Sequence, residues 1–224
     1  MGQIKDSKKI LKKSQGEEFP YVIKEFGLEI AVHKGVFSPK HFNGWKVFTR
    51  NFPSVNGEEV LEVGCGCGVT SLYLAKNGAK KVVAVDINLK AVRNTIDNTK
   101  RNDIQNIDVR YSNIYSAIKH IEKFDTIYWN TPFIYAPESY QYCSELERGL
   151  FDPGYKLTDR FLREGKKHLK QNGRILLGTG NFGDISRFEY LAKNLGYSVR
   201  RIAKEDSTEI NPVDFQLYEL RRKK

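Results

Sequence analysis

A chain of 224 residues with 40% hydrophobic and 12% aromatic side chains can bury a sizeable core, which excludes wholesale disorder. No run of eighteen apolar residues occurs, and the first residues, MGQIKDSKKILKKSQGEE, carry Lys and Glu where a secretory signal needs an apolar stretch, so the expectation is a cytoplasmic protein that does not engage a membrane. Cys65, Cys67 and Cys143 are too few for a disulfide framework, and the net charge of +10 fits a nucleic acid or an acidic partner without requiring either.

Residues 1–18 read as a basic arm or short surface helix, with Lys5, Lys8, Lys9, Lys12 and Lys13 and little apolar periodicity. Residues 19–58 read as a small appendage. Val22, Ile23, Phe26, Leu28, Ile30 and Val32 alternate around a turn at Gly27, which predicts a hairpin closed by Ser38-Pro39, and a helix follows over 41–51. From residue 59 to 224 short apolar runs alternate with helical stretches, the pattern of parallel strands joined by crossover helices. Strands are predicted at 59–63, 81–85, 108–110, 126–129, 174–178, 197–202 and 215–220, with helices at 69–76, 89–102, 156–170 and 185–195. Residues 130–154 break this rhythm and form a long loop of the kind that carries function. The predicted fold is α/β, a seven-stranded, mostly parallel sheet with its last strand antiparallel and helices on both faces.

The sequence Glu62-Val63-Gly64-Cys65-Gly66-Cys67-Gly68 follows a strand and opens a helix. Alternate glycines there allow a sharp turn and close approach of a ligand to the backbone. The next strand ends in Asp86, placed to accept both hydroxyls of a ribose, which points to a nucleoside site. The alternative is a tight turn without a ligand. Cys65 and Cys67 have no second ligand pair at zinc spacing, and His33, His41, His120 and His168 form no helical pair, so no metal site is expected. His33 and His41 flank the Phe37-Ser38-Pro39 loop and read as surface residues or as the lining of a substrate entrance. Tyr135, Tyr140 and Tyr142 read as a lid, an aromatic cage or ordinary loop packing.

These motifs resemble the class I S-adenosylmethionine-dependent methyltransferases. The resemblance implies S-adenosylmethionine as cofactor, with Glu62, Gly64, Gly66 and Gly68 at its methionine part, Asp86 at the ribose and Asn113 at the adenine, and with Ile87 and Ile114 as further cofactor-binding residues. Asn130-Thr131-Pro132-Phe133 after the fourth strand resembles the N/D-P-P-Y/F motif of enzymes that methylate planar nitrogens. There Asn130 and the carbonyl of Thr131 would accept two N–H groups while Phe133 stacks on the flat acceptor; Thr131 stands where the motif has proline. A turn of the Asn-x-Pro kind is the plainer alternative.

Gly35-Val36-Phe37-Ser38-Pro39 and Glu147-Arg148-Gly149-Leu150-Phe151-Asp152-Pro153-Gly154 resemble segments of the protein-glutamine N5-methyltransferases, which implies an N-methyltransferase. Those enzymes carry a sizeable helical amino-terminal domain that the residues before Glu59 leave no room for. Three acceptor classes follow: a glutamine-like amide in a protein, a small-molecule amine or amide, and a purine of rRNA, tRNA or DNA. A cofactor-binding module without catalysis is the non-enzymatic alternative. The loop acids Glu138, Glu145, Glu147 and Asp152, with Asp125 at its entrance and Arg148 as the lone base, predict a rim that repels a polyanion. A protein or small-molecule acceptor is therefore favoured over nucleic acid. The basic arm and the tail Arg221, Arg222, Lys223 and Lys224 are expected to be solvated ends.

Overall fold

A computed structural model describes residues 2–206 and 213–223; Lys224, counted above in the basic tail, lies outside the described residues. The chain runs through α1 (Gly2–Ser14), the hairpin β1 (Tyr21–Glu25) and β2 (Leu28–Val32), and α2 (Gly44–Arg50). It continues through β3 (Glu59–Val63), α3 (Val69–Lys76), β4 (Lys81–Asp86), α4 (Leu89–Arg101), β5 (Ile107–Tyr111) and β6 (Phe124–Asn130). Then come β7 (Ile134–Ala136), β8 (Phe151–Pro153), α5 (Lys156–Gly165), β9 (Leu169–Gly180), α6 (Ile185–Asn194), β10 (Tyr197–Asp206) and β11 (Asp214–Arg222).

Seven strands form one sheet in the order β10-β11-β9-β6-β3-β4-β5. The β5/β4, β4/β3, β3/β6 and β6/β9 pairs are parallel, and only β11 runs against the rest, as predicted for the last strand. Alternation along each strand makes the two-faced core. Leu61, Val63, Val83, Val85, Ile127, Trp129, Ile175 and Leu177 pack under Phe161 and Leu162 of α5 and Phe188 of α6. Val60 and Val82 face Leu74 and Ala75 of α3, while Tyr128, Leu176 and Leu217 face Val47 and Phe48 of α2. The chain leaves β3 toward β5 and returns to β6, so the strand order reverses between β3 and β6, where open α/β sheets place their ligands.

Three expectations are corrected. Residues 130–154 are not a bare loop: β7 and β8 pair in parallel, with a 3-10 turn over Glu145–Gly149 between them. The helix expected over 156–170 ends at Gly165, and Gln171-Asn172-Gly173 lies inside an irregular stretch of β9. A Cβ at Gly165 would sit 2.7 Å from the Tyr115 hydroxyl, so tight packing selects glycine where the helix gives way to a 3-10 turn. Of the two readings of residues 1–18 the short helix is the one present, but it is not a solvated end, because Leu11 of α1 is buried against Ile134, Ala136, Leu150 and Phe151.

Candidate functional site

A cleft of about 240 Å³ opens at the carboxyl ends of β3, β4 and β6, lined among others by Glu62, Gly64, Gly66, Asp86, Ile87, Asn113, Ile114, Asn130 and Pro132. Two halves can be built separately. In the first, Gly64, Gly66 and Gly68 have φ of +69°, +58° and +84°, a backbone course that side chains with a Cβ rarely adopt. The N–H groups of Gly64 and Cys65 donate to the Val85 carbonyl at 2.8 and 3.0 Å, which locks the turn onto β4. Thr95 Oγ1 donates to the Gly66 carbonyl at 3.0 Å and Asn98 Nδ2 to that of Cys67 at 2.9 Å. A Cβ on Gly68 would collide with Thr95 at 2.6 Å, whereas one on Gly66 would meet nothing within 4 Å. The second glycine thus borders open space large enough for a ligand.

Asp86 is half-buried, and its carboxylate accepts the N–H of Gly66 at 2.9 Å and of Asn88 at 2.8 Å. Each oxygen keeps a lone pair for a hydroxyl. Burial raises the Asp86 carboxyl above its ordinary range, against the pull of these backbone N–H groups. Glu62 is buried with Ser71 Oγ on its carboxyl, and burial pushes it up to about 8. A buried carboxyl with so few partners fits an incoming ammonium, the group the methionine part of S-adenosylmethionine offers. Asn113 lies on the rim, its Oδ1 taken by Arg160 Nη1 at 3.0 Å; Ile114 is buried beside it.

In the second half, β6 ends at Asn130, opposite Gly178 of β9. Thr131 is buried, and both its N–H and its hydroxyl donate to the Gly178 carbonyl, at 3.0 and 2.8 Å. Two hydrogen bonds thus fix the position where the related motif uses a proline ring. Among the described residues nothing hydrogen-bonds the Asn130 carboxamide or the Thr131 carbonyl. Phe133 departs from expectation: it lies outside the cleft wall, edge-on to Phe215 with ring centres 6.3 Å apart. Phe37, Phe42, Trp129 and Leu146 form the apolar wall instead, with Phe37 and Phe42 stacked at 4.4 Å and Gly149 pressed against Phe37.

The acidic rim is corrected as well. Asp125 sits at the other end of β6, bound to Lys170 Nζ and the Glu59 N–H. Asp152 is buried and accepts the N–H groups of Leu157 and Thr158 at the start of α5. Glu147 is buried between Lys8 Nζ at 3.2 Å, the Tyr140 hydroxyl at 2.8 Å and the Cys143 N–H. Only Glu138 and Glu145 of the four loop acids face solvent, so the rim repels a polyanion far less than the sequence suggested. Tyr140 and Tyr142 pack the lid, with Tyr142 donating to the Phe151 carbonyl. His41 is held between Ser38 and Glu17 and His168 stacks on Tyr115, which leaves neither in the cleft wall. The described residues contain no cluster of metal-ligating side chains. Arg148, the lone base of the predicted rim, lines the cleft, and Arg160 reaches it unannounced, since a basic residue in a helix carries no local signal of facing inward.

Comparison with known proteins gives the family. The family profile described as "Methyltransferase small domain" matches residues 27–207. A putative protein N5-glutamine methyltransferase of Methanocaldococcus jannaschii is 32% identical over 182 residues, covering 80% of this chain and 89% of that protein. The release factor glutamine methyltransferase of Fusobacterium nucleatum is 27% identical, covering 84% of this chain but 52% of its own, so the chain spans about half the length of that relative. The solved 16S rRNA N2 G1207 methyltransferase of T. thermophilus, in complex with AdoMet and guanosine, superposes with a TM-score of 0.64 at 19% identity, over 91% of this chain and 50% of its own; that likeness is one of fold.

Proposed function

Because the chain belongs to the methyltransferase small domain family and is a S-adenosylmethionine-dependent methyltransferase, we propose that its acceptor is the side-chain amide of a glutamine in a protein. The observation that carries this reading is the Asn130 carboxamide, on the cleft wall with no hydrogen-bond partner among the described residues, beside the equally unengaged carbonyl of a Thr131 pinned to Gly178. S-adenosylmethionine supplies a methyl group on a sulfonium sulfur, and transfer breaks that C–S bond, forms a C–N bond and releases S-adenosylhomocysteine and one proton.

An amide nitrogen is a poor nucleophile because its lone pair is delocalised into the carbonyl. Asn130 Oδ1 and the Thr131 carbonyl accept its two N–H groups, which orients the nitrogen and stabilises the charge that develops on it. Pro132, Phe37 and Trp129 line the cleft on the apolar side of this spot. The proton held at one of the two acceptors leaves to solvent once the methyl is in place, so no general base is required. Glu62, Gly64 and Gly66 hold the methionine part of the cofactor, Asp86 and Ile87 its ribose, and Asn113 and Ile114 its adenine. The free thiols of Cys65, Cys67 and Cys143 suit a reducing cytoplasm. The M. jannaschii relative, matched over most of its length, supports the protein-amide reading over an RNA one.

The test is transfer of tritiated methyl from S-adenosylmethionine into fractionated extract of the source cell, followed by complete enzymatic digestion. Label recovered as N5-methylglutamine is the expected result. Label confined to RNA would move the same Asn130 chemistry to the exocyclic amine of a purine, and label confined to small molecules would overturn the protein reading equally.

A further inference from the structure

In an antiparallel pair, alternate residues turn their N–H and C=O toward the partner strand and the others turn them outward. On the outward edge of β2, Asn102 accepts the Glu29 N–H at 2.9 Å and donates to its carbonyl at 2.8 Å. Asn98 does the same for Ala31, at 2.9 and 2.8 Å. Asn94 accepts the N–H of His33 at 2.9 Å and donates to the Ala31 carbonyl. Asn94 and Asn98 on one face of α4, with Asn102 capping its carboxyl end, therefore stand in for a neighbouring strand. The register Val22↔Ala31 and Lys24↔Glu29 shows that the outward residues of β1 are Val22 and Lys24. Their main-chain groups have no hydrogen-bond partner among the described residues. One edge of the hairpin is closed and the other is open.

A groove at β1 shares one wall residue with the cleft. It is bordered by Tyr21, Val22 and Ile23 on one side and Pro39 and Lys40 on the other, and Pro39 also lines the methyl-transfer cleft. Strand and loop are tied together: the Tyr21 hydroxyl lies 2.6 Å from Ser38 Oγ, and Trp45 Nε1 donates to the Pro39 carbonyl at 2.9 Å. The cations of the groove are already spent, Lys40 on Glu17 and Lys46 on Glu25. Val22 is 47% exposed. A polyanion gains little from such a surface. An extended polypeptide gains main-chain hydrogen bonds at Val22 and Lys24 and apolar contact with the Val22 side chain.

We propose that the open edge of β1 receives an extended segment of the protein acceptor as a third strand, which leads its glutamine past Pro39 toward Asn130. This inference rests on the protein-amide reading and adds to it where the acceptor chain docks. Recognition is then largely through main chain, with the groove choosing small or apolar neighbours.

Val22→Pro and Lys24→Pro each remove one outward N–H and leave the bonds between β1 and β2 intact, as proline at a solvent-facing strand edge permits. Val22→Lys changes the side chain and keeps the N–H. The readouts are initial rate of methyl transfer to the protein fraction of the source-cell extract, cofactor Kd by calorimetry, and thermal midpoint. Each proline variant is expected to label protein about tenfold more slowly at limiting acceptor, the worth of one main-chain hydrogen bond, with cofactor Kd and midpoint unchanged, and Val22→Lys, which loses only the apolar side-chain contact, to slow labelling about threefold. Wild-type rates in both proline variants would overturn the docking mode, as would a Val22→Lys loss equal to that of Val22→Pro. Hydrogen exchange on the wild-type protein, which needs no variant to fold, gives a second reading: the Val22 and Lys24 amides should gain protection with the purified labelled acceptor, and no gain overturns the proposal. A dimer in sedimentation that Val22→Pro dissociates would assign the edge to a second copy and overturn it too. Wild-type enzyme that labels no protein would defeat the protein-amide reading itself, a result distinct from all of these.

Discussion

Around the cofactor half of the cleft, the glycine loop is tied to Val85 and Asp86 of the next strand and to Thr95 and Asn98 of the next helix. The acceptor half draws its supports from farther along the chain: Thr131 hangs on Gly178, 47 residues away, Gln15 holds Gly35 and Val36, and Lys8 reaches Glu147 in the lid. The half proposed for the cofactor is thus framed by β3, β4 and α4, neighbours in sequence. Its counterpart is assembled from α1, the Phe37 loop, the lid and β9, which lets acceptor choice vary while the cofactor site stays fixed.

The largest expected effects separate the two halves. Asn130→Ala should lower kcat by roughly 100-fold, the scale of losing one positioning and charge-stabilising contact, and leave cofactor Kd unchanged. Asp86→Ala should instead weaken cofactor binding by about 10- to 100-fold, because two charge-assisted hydrogen bonds and the anchor of the Gly66 N–H go together. Calorimetry and saturation kinetics on both variants check the pair. An Asn130→Ala enzyme with wild-type kcat would move the acceptor elsewhere.

The same contrast explains what the sequence revealed. Strand-end glycines and Asp86 form a local pattern, so most of the residues that line this end of the cleft could be named in advance, and the strands and helices of the sheet followed from periodicity within a residue or two at most ends. The place of Asn130 on the cleft wall was also legible from its motif. Phe133 was not, because its position behind the cleft is set by Phe215, more than eighty residues later. Nor could the loop acids be sorted, since Asp152 becomes a helix-start acceptor and Glu147 a buried anchor only when α5 and α1 arrive. The basic arm looked solvated because every lysine in α1 is visible in sequence, while the burial of Leu11 depends on β7 and β8.

A pH experiment probes the cofactor half at intermediate scale. Burial raises Glu62 to about 8 from an ordinary 4.5, opposed by the Ser71 hydroxyl and reinforced by the Asp86 charge. The folded chain then holds a proton that the unfolded chain releases, so this group's contribution to stability is fully present below pH 4.5 and is lost as pH rises through about 8. Glu62→Gln should flatten that decline, giving a thermal midpoint several degrees above wild type at pH 8 and none at pH 4.5. Cofactor binding should reverse the advantage, because an ammonium against Glu62 favours the carboxylate. Wild-type affinity then climbs with pH up to about 8 while that of the glutamine variant stays flat. Parallel midpoint curves for the two proteins would show that Glu62 titrates normally.

The smallest effect belongs to α1, and it tests whether the acceptor half depends on its remote brace. Lys8 Nζ lies 3.2 Å from Glu147 and 5.0 Å from the centre of the Tyr140 ring, so one side chain touches both an anchor and an aromatic of the lid. Its ammonium is held above the ordinary lysine range by the Tyr140 hydroxyl first and Glu147 next, so the charge is present at every pH where the enzyme would be assayed. Lys8→Met keeps most of the stem that packs on the lid and removes the charge. A half-exposed ion pair is worth ~0.5–1 kcal/mol, which corresponds to a two- to fivefold loss in kcat/KM. The loss should fall on acceptor KM or kcat and spare cofactor Kd, because no contact joins Lys8 to the glycine loop or Asp86. Raising salt to about 1 M shortens the screening length to about 3 Å and should bring wild type toward the variant, while the variant itself changes little. Equal salt sensitivity in both proteins, or a Lys8→Met enzyme with unaltered acceptor kinetics, would show α1 to be a passive neighbour of the lid and would confine the distant supports of the acceptor half to Gly178 and Gln15.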